Sequence, residues 1–152
     1  MQKFKKILVP VSLSDDSPEI VPYVRNIAEM NDAEIHLLFV ARTFDSITSF
    51  YIPERSMKQF KDESVQRAQK KLDEFAKAFF KDYPLCKTKV ALGDTVEQIL
   101  KCIKSEEIDL VVVGGRGKKD LNRLVFGSLA KELIDMSSAT VLSVNAERIS
   151  IN

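Results

Sequence analysis

Short, continuous apolar runs alternate along the chain with longer stretches in which apolar residues recur every three or four positions. Ile7-Leu8-Val9-Pro10-Val11, Ile35 to Val40 and Leu110-Val111-Val112-Val113 are runs of the first kind. Continuous apolar sequence of that length is what a strand needs when both faces of its sheet are covered. Lys89 to Leu92, closed by Gly93, predicts a shorter strand, and Thr140 to Val144 predicts the last. The stretches between them read as helices. Ser17-Pro18 opens one that carries Ile20, Val24, Ile27 and Ala28 on one face and ends at Asn31-Asp32. Pro22 falls inside it and predicts a kink or a later start, because a proline lacks the amide a helix interior needs. Met57 to Phe80 is a strongly periodic helix with Met57, Phe60, Ala68, Leu72, Phe75 and Phe79 on its stripe. Asp94, with Glu97 three residues on, caps a third helix. A fourth starts at Gly127-Ser128 and carries Leu129, Leu133, Ile134 and Met136. The order βαβαβαβαβ predicts one domain over residues 1–152, an α/β fold with a five-stranded parallel sheet between two helical layers.

Composition narrows the function. Lys and Arg number 23 against 22 Asp and Glu, a net charge of +1. That balance argues against nucleic-acid and membrane-surface partners, which favour a strong basic excess. Two cysteines and one histidine exclude a disulfide framework and a Cys/His zinc site. Cys86 and Cys102 are expected to be free thiols, and His36 a buried strand residue with no Asp or Ser partner in view. Asp15 and Asp16 suit the approach to a helix N-terminus rather than a metal site. The apolar run from Ile7 is cut by Pro10, too short for a signal peptide, and no run reaches the ~18 apolar residues of a membrane span. The expected location is cytoplasmic. Arg42 to Arg55 is a long connection containing Phe44, Phe50, Tyr51 and Ile52, readable as a lid, a partner surface or simple packing on the domain itself.

The glycines carry the chemistry. Of five in the chain, four (Gly114, Gly115, Gly117, Gly127) lie within fourteen residues. They follow a strand and precede a helix, where an open parallel sheet binds its ligands. Glycine lets backbone amides approach an anion closely, and a helix N-terminus after Ser128 would add free N–H donors. Neither GxxxxGK[ST] nor GxGxxG fits. What fits is G-x-x-G, nine residues, then G-S, as Gly114, Gly117, Gly127 and Ser128. Arg116, Lys118, Lys119 and Arg123 lie between them and could neutralise phosphate or simply be solvated. No general base or nucleophile stands beside this cradle, so no catalytic residue is assigned.

That motif resembles the nucleotide-binding motif of the universal stress protein family, in its ATP-binding subgroup. Val111 to Gly117, Leu124 to Ala130, the opening Ile7 to Val11 and the closing Thr140 to Val144 are similar to that family throughout. The resemblance implies strand order 3-2-1-4-5, the adenine nucleotide alpha hydrolase-like arrangement. It also implies a cytoplasmic regulatory module for ATP (or AMP or ADP), with Mg2+. Adenosine would lie against Pro10, Val11, Ser12 and Val40, and ribose and phosphates against Gly114, Gly117, Gly127, Ser128 and the Leu129 amide. The family's ATP binders usually carry an Asp after the first strand, where this chain has Ser12, which hydrogen-bonds but holds no charge. If the last strand lies at an edge, Thr140 to Val144 exposes unpaired backbone with no Lys or Pro to guard it. Pairing with a second copy would satisfy it, as the resemblance also implies. Two other readings remain open: a slow Mg-dependent ATPase or nucleotidyl or phosphoryl transferase, and a dimeric interaction protein that binds no nucleotide.

Overall fold

A computed structural model describes residues 3–13, 17–42, 54–114 and 121–144. In chain order the elements are β1 (Lys6–Pro10), a 3-10 turn (Ser17–Ile20) running into α1 (Val21–Asn31), β2 (Glu34–Ala41), α2 (Glu54–Phe80) and β3 (Cys86–Leu92). Then come α3 (Thr95–Ser105), β4 (Leu110–Gly114), α4 (Leu121–Met136) and β5 (Thr140–Val144). The strands form one five-stranded sheet in the order β3-β2-β1-β4-β5, and every neighbouring pair is parallel. The expected fold is the observed one.

Alternation along the strands sends residues to two cores. Ile7, Val9, Ile35, Leu37, Leu110 and Val112 pack with Val24 and Ala28 of α1 and Leu72 and Phe80 of α2. Leu8, Leu38, Val111 and Val113 pack on the other face with Ile99 and Ile103 of α3 and Leu129 and Leu133 of α4. Two helices per face do not cover five strands. Among the described residues β3 is left open on the α3/α4 side, where Lys87 and Lys89 are exposed. On β5 the opposite face is open at Thr140 and Leu142, while Val144 at its end is buried in the first core.

Element boundaries differ from expectation in instructive places. The α-helix proper starts late, at Val21, with Pro22 in its first turn where a missing amide is harmless. It ends at Asp32, which adopts φ 52° and donates its amide to the Ala28 carbonyl. The strand β3 begins at Cys86, three residues before the apolar run, because Lys87 and Lys89 lie on its open face and hide the alternation. The largest correction concerns α4, which begins at Leu121 rather than after Ser128. Leu121, Leu124, Val125 and Leu129 hold helical spacing straight through Gly127, whose cost of about 1 kcal/mol relative to alanine does not stop a helix. The Arg42 to Arg55 connection lies outside the described residues except for its ends, and with it the lid reading.

Candidate functional site

The site is built at the carboxyl edge, where β1 and β4 are neighbours whose chains leave in opposite directions. From β1 the chain turns to α1 on one face; from β4 it passes to α4 on the other. Such a divergence opens a crevice between the two strand ends. Pro10 ends β1 beside Leu38 of β2. Val11 is 4% exposed and donates its amide to the Leu38 carbonyl at 2.8 Å. Ser12 is half-buried. Continuing the register in which Leu8 stands beside Val111 puts Val11 level with Gly114, the last residue of β4. Val40 lies one strand further out, beside Ala91, and packs against the α3/α4 core.

Thus Pro10, Val11, Ser12, Gly114 and Val40 come together at one sheet edge. Gly117 lies outside the described residues, as do Gly115, Arg116, Lys118 and Lys119. Gly127 and Ser128 are placed inside α4, not at its start. Leu129 is buried in the core beneath. An α-helix leaves free amides only on its first four residues, so in this state the Leu129 amide belongs to the helix ladder.

Gly93 and Gly114 stand in different surroundings. At Gly93 φ is +138°, and an added Cβ would meet Gln98 Nε2 at 2.8 Å, so the turn after β3 demands glycine. At Gly114 the contact an added Cβ would make among the described residues is with Ile20 Cγ2 at 3.6 Å, an ordinary distance. Packing against the described residues therefore does not demand a glycine there.

Two features escaped the sequence reading. Leu13, directly after Ser12, adopts φ 59°, a conformation that costs a non-glycine residue of order 1–3 kcal/mol and is concentrated at functional sites. No residue pattern announces it. His36 does have an acidic partner: its Nε2 lies 2.6 Å from Glu34 Oε1, and Lys87 Nζ lies 3.0 Å from the same oxygen. That pairing was legible, since residues two apart share a strand face. Lys87 and then His36 hold the Glu34 carboxyl below its usual range. Both cysteines are free. Burial pushes the Cys86 thiol up to about 11 and raises Cys102 as well, so neither is a poised nucleophile.

The universal stress protein family model matches residues 3–145. The chain belongs to that family. Universal stress protein YxiE of Bacillus subtilis is 28% identical over 146 residues, covering 93% of this chain and 99% of that protein. The solved structure of MJ0577, a universal stress protein of Methanocaldococcus jannaschii, superposes with a TM-score of 0.77 at 25% identity, over 94% of this chain and 96% of the other. A universal stress protein family member from Arabidopsis thaliana, solved with AMP bound, shares the fold with a TM-score of 0.63 at 18% identity, over 95% and 94% of the two chains.

Proposed function

We propose that this universal stress protein binds an adenine nucleotide in the crevice between β1 and β4 and acts as a nucleotide-responsive regulatory module. Adenosine lies against Pro10, Val11, Ser12 and Val40, and the phosphates meet Gly114, Gly117, Gly127 and Ser128. The observation that carries this reading is Gly114, a glycine at the lip of the crevice that packing against the described residues does not demand. AMP in the Arabidopsis relative supports the ligand class. Arg116, Lys118 and Lys119 supply charge for more than one phosphate, favouring ATP over AMP. Among the described residues no group of three His, Cys, Asp or Glu side chains is placed to hold a metal. Mg2+ would therefore be held largely by the nucleotide's phosphates and water. The free thiols fit a reducing cytoplasm, and β5 fits a homodimer.

A second reading, an interaction module without nucleotide, is favoured by the course of α4. Its ladder already occupies the Leu129 amide, so phosphate binding there requires the first two turns of α4 to open.

Calorimetric titration of nucleotide-stripped protein with Mg-ATP, AMP and GTP tests both. Saturable ATP binding, weakened in Gly114→Ala at unchanged melting temperature and lost in Gly117→Val, supports the first reading. Gly127→Ala separates the two further: it stabilises a helix by about 1 kcal/mol, so affinity should fall about fivefold if α4 opens on binding. No heat with any nucleotide would leave the interaction module.

A further inference from the structure

The open face of β3 is not flat. Two adjoining hollows form a trough between β3 and α3. The larger, about 530 Å³, is lined among others by Leu38, Lys89, Ala91, Lys101, Cys102 and Lys104. The smaller, about 220 Å³, continues past Lys89 and Cys102 to His36, Lys87 and Glu106. Its floor is apolar, from Leu38, Ala91 and buried Cys102, while its rims are basic. Lys87 and Lys89 alternate along β3, and Lys101 and Lys104 sit one turn apart on α3. Lys87 is engaged by Glu34 at 3.0 Å. Lys101 stands 3.7 Å from Glu97 with both side chains exposed, a contact worth little in water. Lys89 and Lys104 have no hydrogen-bond or ion-pair partner among the described residues.

We propose that this trough is a docking groove for an acidic, amphipathic segment of a partner protein. Apolar side chains of the segment rest on Leu38, Ala91 and Cys102, and its carboxylates meet Lys89, Lys101 and Lys104. Charge complementarity with an apolar floor is the argument. A nucleic-acid strand fits less well. The groove offers no arginine and no Phe, Tyr or Trp for stacking, and Glu34, Glu97 and Glu106 interrupt the basic rows that a continuous phosphate backbone would follow. The segment lies on the face of β3 rather than adding a strand, because Lys87 and Lys89 discourage edge pairing. The groove is separate from the β1/β4 crevice, so this inference stands whether or not nucleotide binds.

The test is an amide-resolved NMR titration of the full chain with a blocked synthetic peptide of repeated Glu-Leu-Leu-Glu. The same peptide with Lys in place of Glu, tripolyphosphate and oligodeoxythymidine serve as comparisons. The expected result is saturation with shifts confined to β3, α3 and the β2 residues that line the trough, weakened by salt. Affinity should fall about tenfold or more in Lys89→Glu/Lys104→Glu, and less in Lys89→Gln/Lys104→Gln. Both positions changed are exposed lysines, so unaltered melting temperatures are expected and separate lost binding from lost folding. Undiminished affinity in the Glu double variant, equal binding of the Lys peptide, or tighter binding of tripolyphosphate or the oligonucleotide at the same residues would each overturn the proposal. So would the absence of saturation by the Glu peptide.

Discussion

The strands β3 and β5 are both outer strands, each more open on one face than on the other among the described residues, on opposite sides of the sheet. They differ in what they present. The open face of β3 carries Lys87 and Lys89, while on its packed side Thr88 Oγ1 is tied to Gln69 and Asp73 of α2 at 3.0 and 2.8 Å. The sequence of β5 holds no charge at all, with Thr140, Leu142 and Ser143 exposed. An outer strand that carries lysines resists pairing with another chain, and one without charges invites it. The same parallel fold therefore has one guarded edge and one receptive edge, decided by alternate residues in two short strands.

The largest effect should separate covered from open faces. Leu72 is fully buried where α2 crosses the β3 side, and Leu72→Ala should cost about 2–5 kcal/mol in denaturant unfolding. Leu142→Ala, on the open face of β5, should cost the monomer under about 0.5 kcal/mol. Similar losses at both sites would mean that Leu142 is packed within its own chain, and the contrast would fail.

Association comes next. If two copies pair through β5, Ser143→Pro removes a ladder donor and Leu142→Lys places like charges near each other across a twofold axis. Either should raise the dimer dissociation constant about tenfold or more in sedimentation velocity. A wild-type chain that is monomeric at micromolar concentration would refute the pairing outright. The reciprocal change is Lys87→Thr with Lys89→Val, which gives β3 the character of β5. Light scattering should then report self-association beyond the dimer, because a second receptive edge allows growth at both ends of the sheet.

How much of this was legible depends on whether a strand's surroundings match on its two faces. The strands β1 and β4 are covered on both sides, read as unbroken apolar runs, and were located to within a residue. The strand β3 was shortened by three residues because one open face admits lysine at every second position. Helix α4 was misplaced for a different reason: Gly127-Ser128 looks like a start signal, whereas the leucine and valine spacing upstream carries the helix to Leu121. At the candidate site the family resemblance implied Pro10, Val11, Ser12, Val40 and Gly114, and the strand order that it also implied brings these strand ends to one edge. The left-handed Leu13 was invisible, because backbone strain is a property of the closed loop and not of leucine.

The smallest effect concerns acid. Glu34 opens β2 on the trough side, with His36 on its own strand, Lys6 beside it on β1, Lys87 on β3 and Glu106, just after α3, nearby. Its carboxyl is held low, first by Lys87 and then by His36. A lowered folded value means that the unfolded chain takes up the proton first as pH falls. The stabilisation is thus complete above the unfolded value of about 4.5 and disappears as pH drops through the lower folded value. Melting temperatures of wild type and Glu34→Gln should differ by a constant amount at neutral pH and converge in acid. The β5 edge, Thr140 to Val144, contains no titratable side chain, so dimer dissociation measured over the same acid range, while the fold persists, should change far less. A gap between wild type and Glu34→Gln that persisted in acid would remove the ion pair from the account of the guarded edge and leave Lys87 there as a solvated charge.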